Sequence, residues 1–251
     1  MRLISFILIA VPLLLMQCKT DNSKSQFTSI PINIPIPAVP DFDSTIIVFD
    51  STIILNSTYK FLLKTNDTFY ISNTKSNYLQ KFRLDDWGTG AYFLDDFNND
   101  GLNDFRYALS SNTPLVENLF LFEKSTKSFK PVKGFEDFPD PKPVTGTKYY
   151  YSYHKSGCAD LDWDSDLFYI ENYQAIRIGN ISGIGCSDEK QGAYIYKVSG
   201  KKKVLLQKYS IEEPEDYGNS KWDFIREYWS KNYSKNSFAD KQIVYAKSIS
   251  H

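Results

Sequence analysis

Phe93-Leu94-Asp95-Asp96-Phe97-Asn98-Asn99-Asp100-Gly101-Leu102-Asn103-Asp104-Phe105 is the stretch from which the rest of the chain becomes legible. Counted from Asp96, side-chain oxygens fall at positions 1, 3 and 5 (Asp96, Asn98, Asp100), glycine at 6 (Gly101) and a further carboxylate at 9 (Asp104). Calcium is a hard cation that takes about six to eight oxygens, and alternate residues of a tight turn can converge on it. Gly101 permits the sharp turn because it has no Cβ to clash. Leu102 would supply its carbonyl and turn its side chain inward. The helix-loop-helix form of this loop needs an acid at position 12, where this chain has Tyr107. A strand-loop-strand calcium turn is therefore expected, with Asp104 closing the ligand set. Carboxylates brought together without a cation repel, so Ca2+ is expected to stabilise the fold as a brace and not to catalyse.

The flanks carry this strand reading outward. Ala91–Leu94 and Phe105–Leu109 are short apolar runs, and similar runs occur at Ile46–Phe49, Thr52–Leu55, Tyr59–Leu63 and Phe69–Ile71. Asp50, Asn56, Asn66-Asp67 and Asn73 punctuate the early ones with turn chemistry. Further strands are expected at Asn118–Phe122, Tyr149–Tyr153, Leu167–Ile170, Ala175–Ile178, Ala193–Val198 and Val204–Gln207. The lysine run Lys201-Lys202-Lys203 reads as a hairpin turn or solvated edge. Ser220–Trp229 is the strongest helix, with Trp222, Phe224, Ile225, Tyr228 and Trp229 forming a partly one-sided face. The expected fold class is all-β, a propeller-like assembly or a barrel or sandwich of short antiparallel strands, with a short C-terminal helix. Aromatic residues make up 16% of the chain, 18 Tyr and 18 Phe among them, which implies a core rich in ring contacts.

The amino terminus sets the expected location. Met1-Arg2-Leu3 leads into Ile4–Met16, roughly 13 apolar residues behind one positive charge, as in a secretory signal. A membrane-spanning helix needs about 20 such residues, so this run is too short to span. The segment Leu14-Leu15-Met16-Gln17-Cys18 resembles a lipobox, with Leu three residues before an acylated cysteine and Gln17 where a small residue is usual. That resemblance implies a bacterial lipoprotein with residues 1–17 as signal peptide and Cys18 lipidated. The protein would then be anchored to a membrane of the cell envelope, on its periplasmic or surface face, by lipid alone. Residues 18–45 form a tether whose Pro31, Pro35, Pro37 and Pro40 favour extended geometry. Residues 46–251 form a single β-rich calcium-binding domain. With Cys18 given to lipid, Cys158 and Cys186 are expected to form a disulfide, as two cysteines in an oxidising compartment should. Closing that loop of about 29 residues contributes roughly 3.5 kcal/mol in the chain-entropy picture.

Charge and motifs narrow the function classes. There are 29 basic and 30 acidic residues, a net charge of -1, so no footprint for nucleic acid appears. No GxSxG, HExxH, P-loop or dinucleotide fingerprint is present. His154 is the only internal histidine, which makes an enzyme the minority reading. Asp160, Asp162, Asp164 and Asp166 alternate, and on an extended strand all four would share a face. That face could be solvated, could bind a second cation, or could supply a glycosidase-type carboxylate pair. Tyr149, Tyr150, Tyr151 and Tyr153, with Trp163, Phe168 and Tyr169, could stack sugars or a protein, but only their outward members.

The quoted segment resembles the calcium turns of FG-GAP and VCBS-type propeller repeats, here in one copy. Together with Asn118–Phe122, Ser128-Phe129-Lys130-Pro131, Gly157-Cys158 and Leu167–Ile170, it is also similar to propeller-like periplasmic lipoproteins. Those act as immunity proteins against lysozyme-like effectors and are related in fold to invertebrate-type lysozyme inhibitors. The likeness spans roughly residues 85–208 and implies calcium ligation by Asp96, Asn98, Asp100 and Asp104. It also implies a protein partner, a peptidoglycan hydrolase that the chain would inhibit. The Ser-Gly-x-x-Tyr element of some lysozyme inhibitors is missing: Ser156-Gly157, Ser182-Gly183 and Ser199-Gly200 all lack the tyrosine. The alternative class is a glycan-binding or structural lipoprotein of the cell envelope.

Overall fold

The computed structural model describes residues 46–64, 68–75, 78–83, 91–109 and 115–233. The expected signal peptide, Cys18 and the expected tether lie outside the described residues, as do the Asn66-Asp67 pair and residues 234–251. Three antiparallel sheets stack face to face, with a helix on the last. Of the arrangements open from the sequence, the sandwich-like one is formed, and among the described residues no sheet closes into a barrel.

The first sheet is a meander of β1 (Ile46–Ile54), β2 (Ser57–Lys64), β3 (Thr68–Asn73) and β4 (Tyr78–Arg83). Asp50 does not divide β1 as expected: the strand runs through it, with Asp50 opposite Phe61. A polar side chain interrupts a strand only if it captures the ladder. Asp50 instead accepts the N–H of its neighbour Ser51 and leaves the pairing intact. Leu55 and Asn56 turn the chain with φ of 50° and 61°, the double left-handed geometry of a tight hairpin.

The second sheet is another meander, β5 (Ala91–Asp95), β6 (Asp104–Leu109), β7 (Val116–Glu123) and β8 (Ser128–Pro131). Its β7 explains an unbroken apolar run. Phe120 and Phe122 face the first sheet and cluster with its Tyr59, Phe61 and Phe69 and with Phe105 of β6, while Leu119 and Leu121 face the third. A strand buried on both sides has no polar face to alternate with. Phe69 stacks on Phe105 at 4.5 Å between centroids and 10° between planes, and Tyr59 meets Phe122 edge-on at 5.3 Å. β4, not expected from the sequence, joins the two sheets through a side chain. The amide of buried Gln80 donates to Phe129 O at 2.8 Å and accepts Phe129 N–H at 2.7 Å.

The third sheet holds β9 (Lys142–Pro143), β10 (Tyr149–Tyr151), β11 (His154–Gly157), β12 (Asp162–Glu171), β13 (Gln174–Ile184), β14 (Gly192–Ser199) and β15 (Lys202–Tyr209). Its order is β15-β14-β13-β12-β10-β9, with β11 also paired to β12. Gly200 and Lys201 form the β14–β15 turn, so the lysine run lies at a hairpin as expected. Phe168 and Tyr150 pack with Leu119, Leu121, Phe135 and Phe138 between the second and third sheets. After a short α1 (Glu212–Glu215), α2 (Lys221–Tyr233) covers the opposite face, burying Phe224, Ile225 and Trp229 on Trp163, Leu167, Ile181 and Ile195. Gly183 is required there, because a Cβ would stand 2.2 Å from a ring carbon of Trp163. Trp222 does not join the helix's buried face: it is 44% exposed.

Candidate functional site

The segment 96–103 links β5 to β6 and touches all three sheets. Asn103 Nδ2 donates to Thr52 Oγ1 of β1 at 2.9 Å, and Leu102 packs on the core between the first two sheets. Phe97 stacks on Tyr150 of β10 at 4.7 Å, and its carbonyl accepts the Tyr150 hydroxyl at 3.2 Å. Burial pushes that hydroxyl up to about 12, helped by the carboxylates of Asp104 and Asp96.

Within the loop, side-chain oxygens gather the backbone N–H groups. Asp96 Oδ1 accepts Asp100 N–H and its Oδ2 accepts Gly101 N–H, both at 2.9 Å. Asn98 Oδ1 accepts Asp100 N–H at 3.0 Å, and Asp100 Oδ1 accepts Leu102 N–H at 2.9 Å. Asn99 and Gly101 adopt φ of 59° and 86°, which asparagine and glycine tolerate best. Asp104 lies beneath, fully buried. Its Oδ1 accepts Phe122 N–H of β7 at 2.8 Å, and its Oδ2 accepts the N–H of Phe97 and Asn98 at 3.1 and 3.4 Å. Burial raises the Asp104 carboxyl to about 7, against the lowering effect of its bond from Phe122 N–H.

The structure thus brings Asp96, Asn98, Asp100 and the Leu102 backbone around one turn, with Asp104 anchoring it from below. Among the described residues, the Cys, His, Asp and Glu ligand atoms that lie within 4.8 Å of one another in a group of three belong to Cys158, Asp162 and Cys186. Asp96, Asp100 and Asp104 do not form such a group. Beside the loop an open cleft of about 530 Å³ is lined by Asn98, Asp100, Leu121, Glu123, Ile170 and Tyr173. The Tyr173 hydroxyl donates to Glu123, which holds that carboxyl at about 2.

Cys158 and Cys186 are bonded, with Cα atoms 6.2 Å apart. Asp162 shapes this end by accepting the N–H groups of Gly185 and Cys186 at 2.8 and 3.0 Å. The expectation that Asp160, Asp162, Asp164 and Asp166 share a face is corrected for Asp160. Cys158, Ala159 and Asp160 have φ of 48°, 51° and 82°, a turn that takes Asp160 off the strand. Asp160 pairs instead with Lys221 at 3.2 Å and accepts the Tyr153 hydroxyl. The other three alternate along β12, where Asn180 Nδ2 bridges two of them by donating to both Asp164 and Asp166. Asp164 accepts Asn180 Nδ2 at 3.2 Å and lies 3.9 Å from His154 Nε2, while buried Asp166 meets Arg177 at 3.0 Å.

A second cleft, of about 170 Å³, was missed in the sequence. Tyr151, Tyr153, Trp222, Arg226, Asp140 and Lys142 line it, and Tyr153 lies 4.0 Å from the Trp222 ring. The four-tyrosine run divides: Tyr150 and Tyr153 are core, while Tyr151 reaches this cleft. The available signal was Trp222 beside the polar end of its helix, but its neighbours lie some 70 to 80 positions away in sequence.

No family model matches the chain, and no curated protein matches it. Among solved structures, one described as "Structure of a Xanthomonas Type IV Secretion System related protein" aligns with a TM-score of 0.43 and 11% identity, covering 73% of this chain and 100% of that one. No helix among the described residues is long and apolar enough to cross a membrane.

Proposed function

We propose that this protein is an exported lipoprotein, anchored through Cys18, whose calcium-braced β-domain binds and blocks a protein partner outside the cytoplasm. The observation that carries the reading is the contact of the 96–104 segment with all three sheets, through Asn103–Thr52, Asp104–Phe122 and Phe97–Tyr150. An ion in that turn would stiffen the whole stack. Asp96, Asn98, Asp100, Asp104 and the Leu102 carbonyl are an all-oxygen donor set, which suits Ca2+ and not a softer metal. A lysozyme-like peptidoglycan hydrolase is the partner class that the sequence resemblance implies. The test is inhibition of hydrolases from several lysozyme classes by the full chain, with Ca2+ and with chelator. Calcium-dependent inhibition that Asp100→Ala weakens is expected. No effect on any class at micromolar protein would remove the hydrolase reading.

A second reading, glycan binding, is favoured by the smaller cleft. An exposed indole beside Tyr151, with Arg226 and Lys142 as donors and Asp140 as acceptor, is the mixture that a sugar ring engages by stacking and hydroxyl contacts. Glycan-array binding abolished by Trp222→Ala, without hydrolase inhibition, would favour it over the first.

A further inference from the structure

We propose that Cys158, Cys186 and Asp162 form a redox-gated zinc site: a disulfide in the oxidised protein, and the ligands of one Zn2+ once the two sulfurs are reduced. The three residues stand side by side at one end of the third sheet. Cys158 follows the last residue of β11, Asp162 opens β12 and Cys186 lies just beyond β13, and β12 is hydrogen-bonded to both of the other strands. One ligand atom from each, the two sulfurs and a carboxylate oxygen, lies within 4.8 Å of the other two. Both cysteines are exposed, so a reductant and a metal ion can reach them. Asp162 is fixed in orientation: its Oδ1 accepts the N–H groups of Gly185 and Cys186, while no described residue donates to its Oδ2. A disulfide needs no carboxylate beside its sulfurs, whereas a metal ion does use one.

The donor set selects the metal. Two thiolates and a carboxylate this close together repel one another unless a cation lies between them. Thiolate sulfur with one carboxylate oxygen suits borderline-soft zinc, and not calcium or magnesium, which want oxygen alone. Two thiolates on a tetrahedral zinc stand about 3.8 Å apart, given Zn–S bonds of about 2.3 Å. With Cα atoms 6.2 Å apart, Cys158 and Cys186 reach that separation by side-chain rotation once their bond is broken. Three protein ligands leave the fourth position to a water. Opening the bond takes a dithiol reductant. One of its thiolates attacks a sulfur, forms a mixed disulfide and releases the other cysteine as thiolate; its second thiol then displaces the remaining cysteine. Two electrons pass to the protein, and the reductant leaves as its own disulfide. Zinc then replaces the thiol protons, which go to solvent. The backbone at this point is strained: Cys158, Ala159 and Asp160 are held at φ of 48°, 51° and 82°, and exposed disulfides in strained surroundings are the labile ones.

The site is independent of the calcium turn and of any protein partner. The test is titration of the full chain with Co2+, a zinc surrogate whose bonds to thiolate absorb in the near ultraviolet. It is run before and after reduction with dithiothreitol, which is removed under nitrogen. Cys18→Ser in every protein leaves this pair as the source of thiolate. The reduced protein should bind Co2+ with a thiolate-to-cobalt band that saturates at one equivalent and is bleached by Zn2+, and the oxidised protein should show none. The oxygen-only turn at 96–104 gives no such band, so a metal held there does not imitate the result. Cys158→Ser with Cys186→Ser should abolish the band. Asp162→Asn keeps an oxygen for the Gly185 and Cys186 N–H groups and should melt like the parent when oxidised. Its reduced form should hold Zn2+ at least about ten-fold more weakly, a loss that even the outer partner of a metal ligand can bring. Three results would overturn the proposal: no band in the reduced parent, equal zinc affinity in Asp162→Asn, or a band confined to a dimer in sedimentation, which would place the thiolates on different chains.

Discussion

Trp229 Nε1–H donates to Ser165 Oγ at 2.9 Å, joining α2 to the central strand β12 across 64 positions, with both residues buried. A Cβ on Gly179 would lie 3.0 Å from the Trp229 ring, so that glycine makes the seat into which the indole fits. Trp229→Phe should cost about 1–3 kcal/mol, because it orphans the buried hydroxyl and leaves a gap. Trp229→Ala should cost about 3–5 kcal/mol. Urea unfolding would check both, and a Trp229→Phe variant as stable as the parent would remove the bond from the account.

Two glycines should fail for different reasons. Gly183→Ala drives a methyl into Trp163 and should cost about 1–3 kcal/mol or more through overpacking. Gly101→Ala meets no atom within 4 Å, but its φ of 86° is strained for alanine, about 1 kcal/mol or slightly more. Near-ultraviolet circular dichroism should register the first at Trp163 and not the second.

Calcium should raise the melting temperature of the full chain over that in chelator, and Asp100→Ala should erase the increment while nearly matching the parent in chelator. Asp104→Ala should differ by lowering stability in chelator as well. It removes the acceptor for Phe122, Phe97 and Asn98 N–H, and leaving even one such group buried and unpaired costs about 1–3 kcal/mol. Equal melting of both variants in chelator would contradict this division of labour.

In chelator, stability should fall as pH rises from about 4 through about 7. Asp104 has its folded carboxyl raised to about 7, so the folded chain holds a proton that the unfolded chain has already lost over that window. The contribution is complete below the unfolded value and gone above the folded one. Subtracting the pH profile of Asp104→Asn should remove this slope. An unchanged slope would assign it to other groups.

Cys158→Ser with Cys186→Ser should cost about 2–4 kcal/mol, since the bond spans 28 positions and restricts the unfolded chain. The unfolding midpoint under oxidising conditions measures it, and the parent under reductant should match the variant.

Much of the fold was readable because strands announce themselves locally. Apolar runs with Asn and Asp between them located β2, β3, β5, β6, β7, β14 and β15, and the 3.6-residue pattern located α2. The misses share one cause. β9 and β11 hold almost no apolar residues, and β4 carries Gln80 and Lys81 between Leu79 and Phe82; each exists because a neighbour's ladder accepts it. Gln80 looks like a surface residue until the Phe129 backbone is opposite it.

By itself the sequence determined the all-β class, the C-terminal helix, the cysteine pair and the segment that turns between β5 and β6. All of these depend on residues within a few positions of one another, or on the two cysteines that lie beyond the amino-terminal segment. Only the tertiary structure decided which tyrosines face outward, that Trp222 leaves its helix's buried face to line a cleft, that Asp160 departs from the β12 carboxylates, and that Val204–Leu206 lies, among the described residues, on an end strand of the third sheet. Those outcomes depend on which sheet stacks on which face. That is settled by burial of apolar area between elements far apart in sequence, which local pattern does not encode.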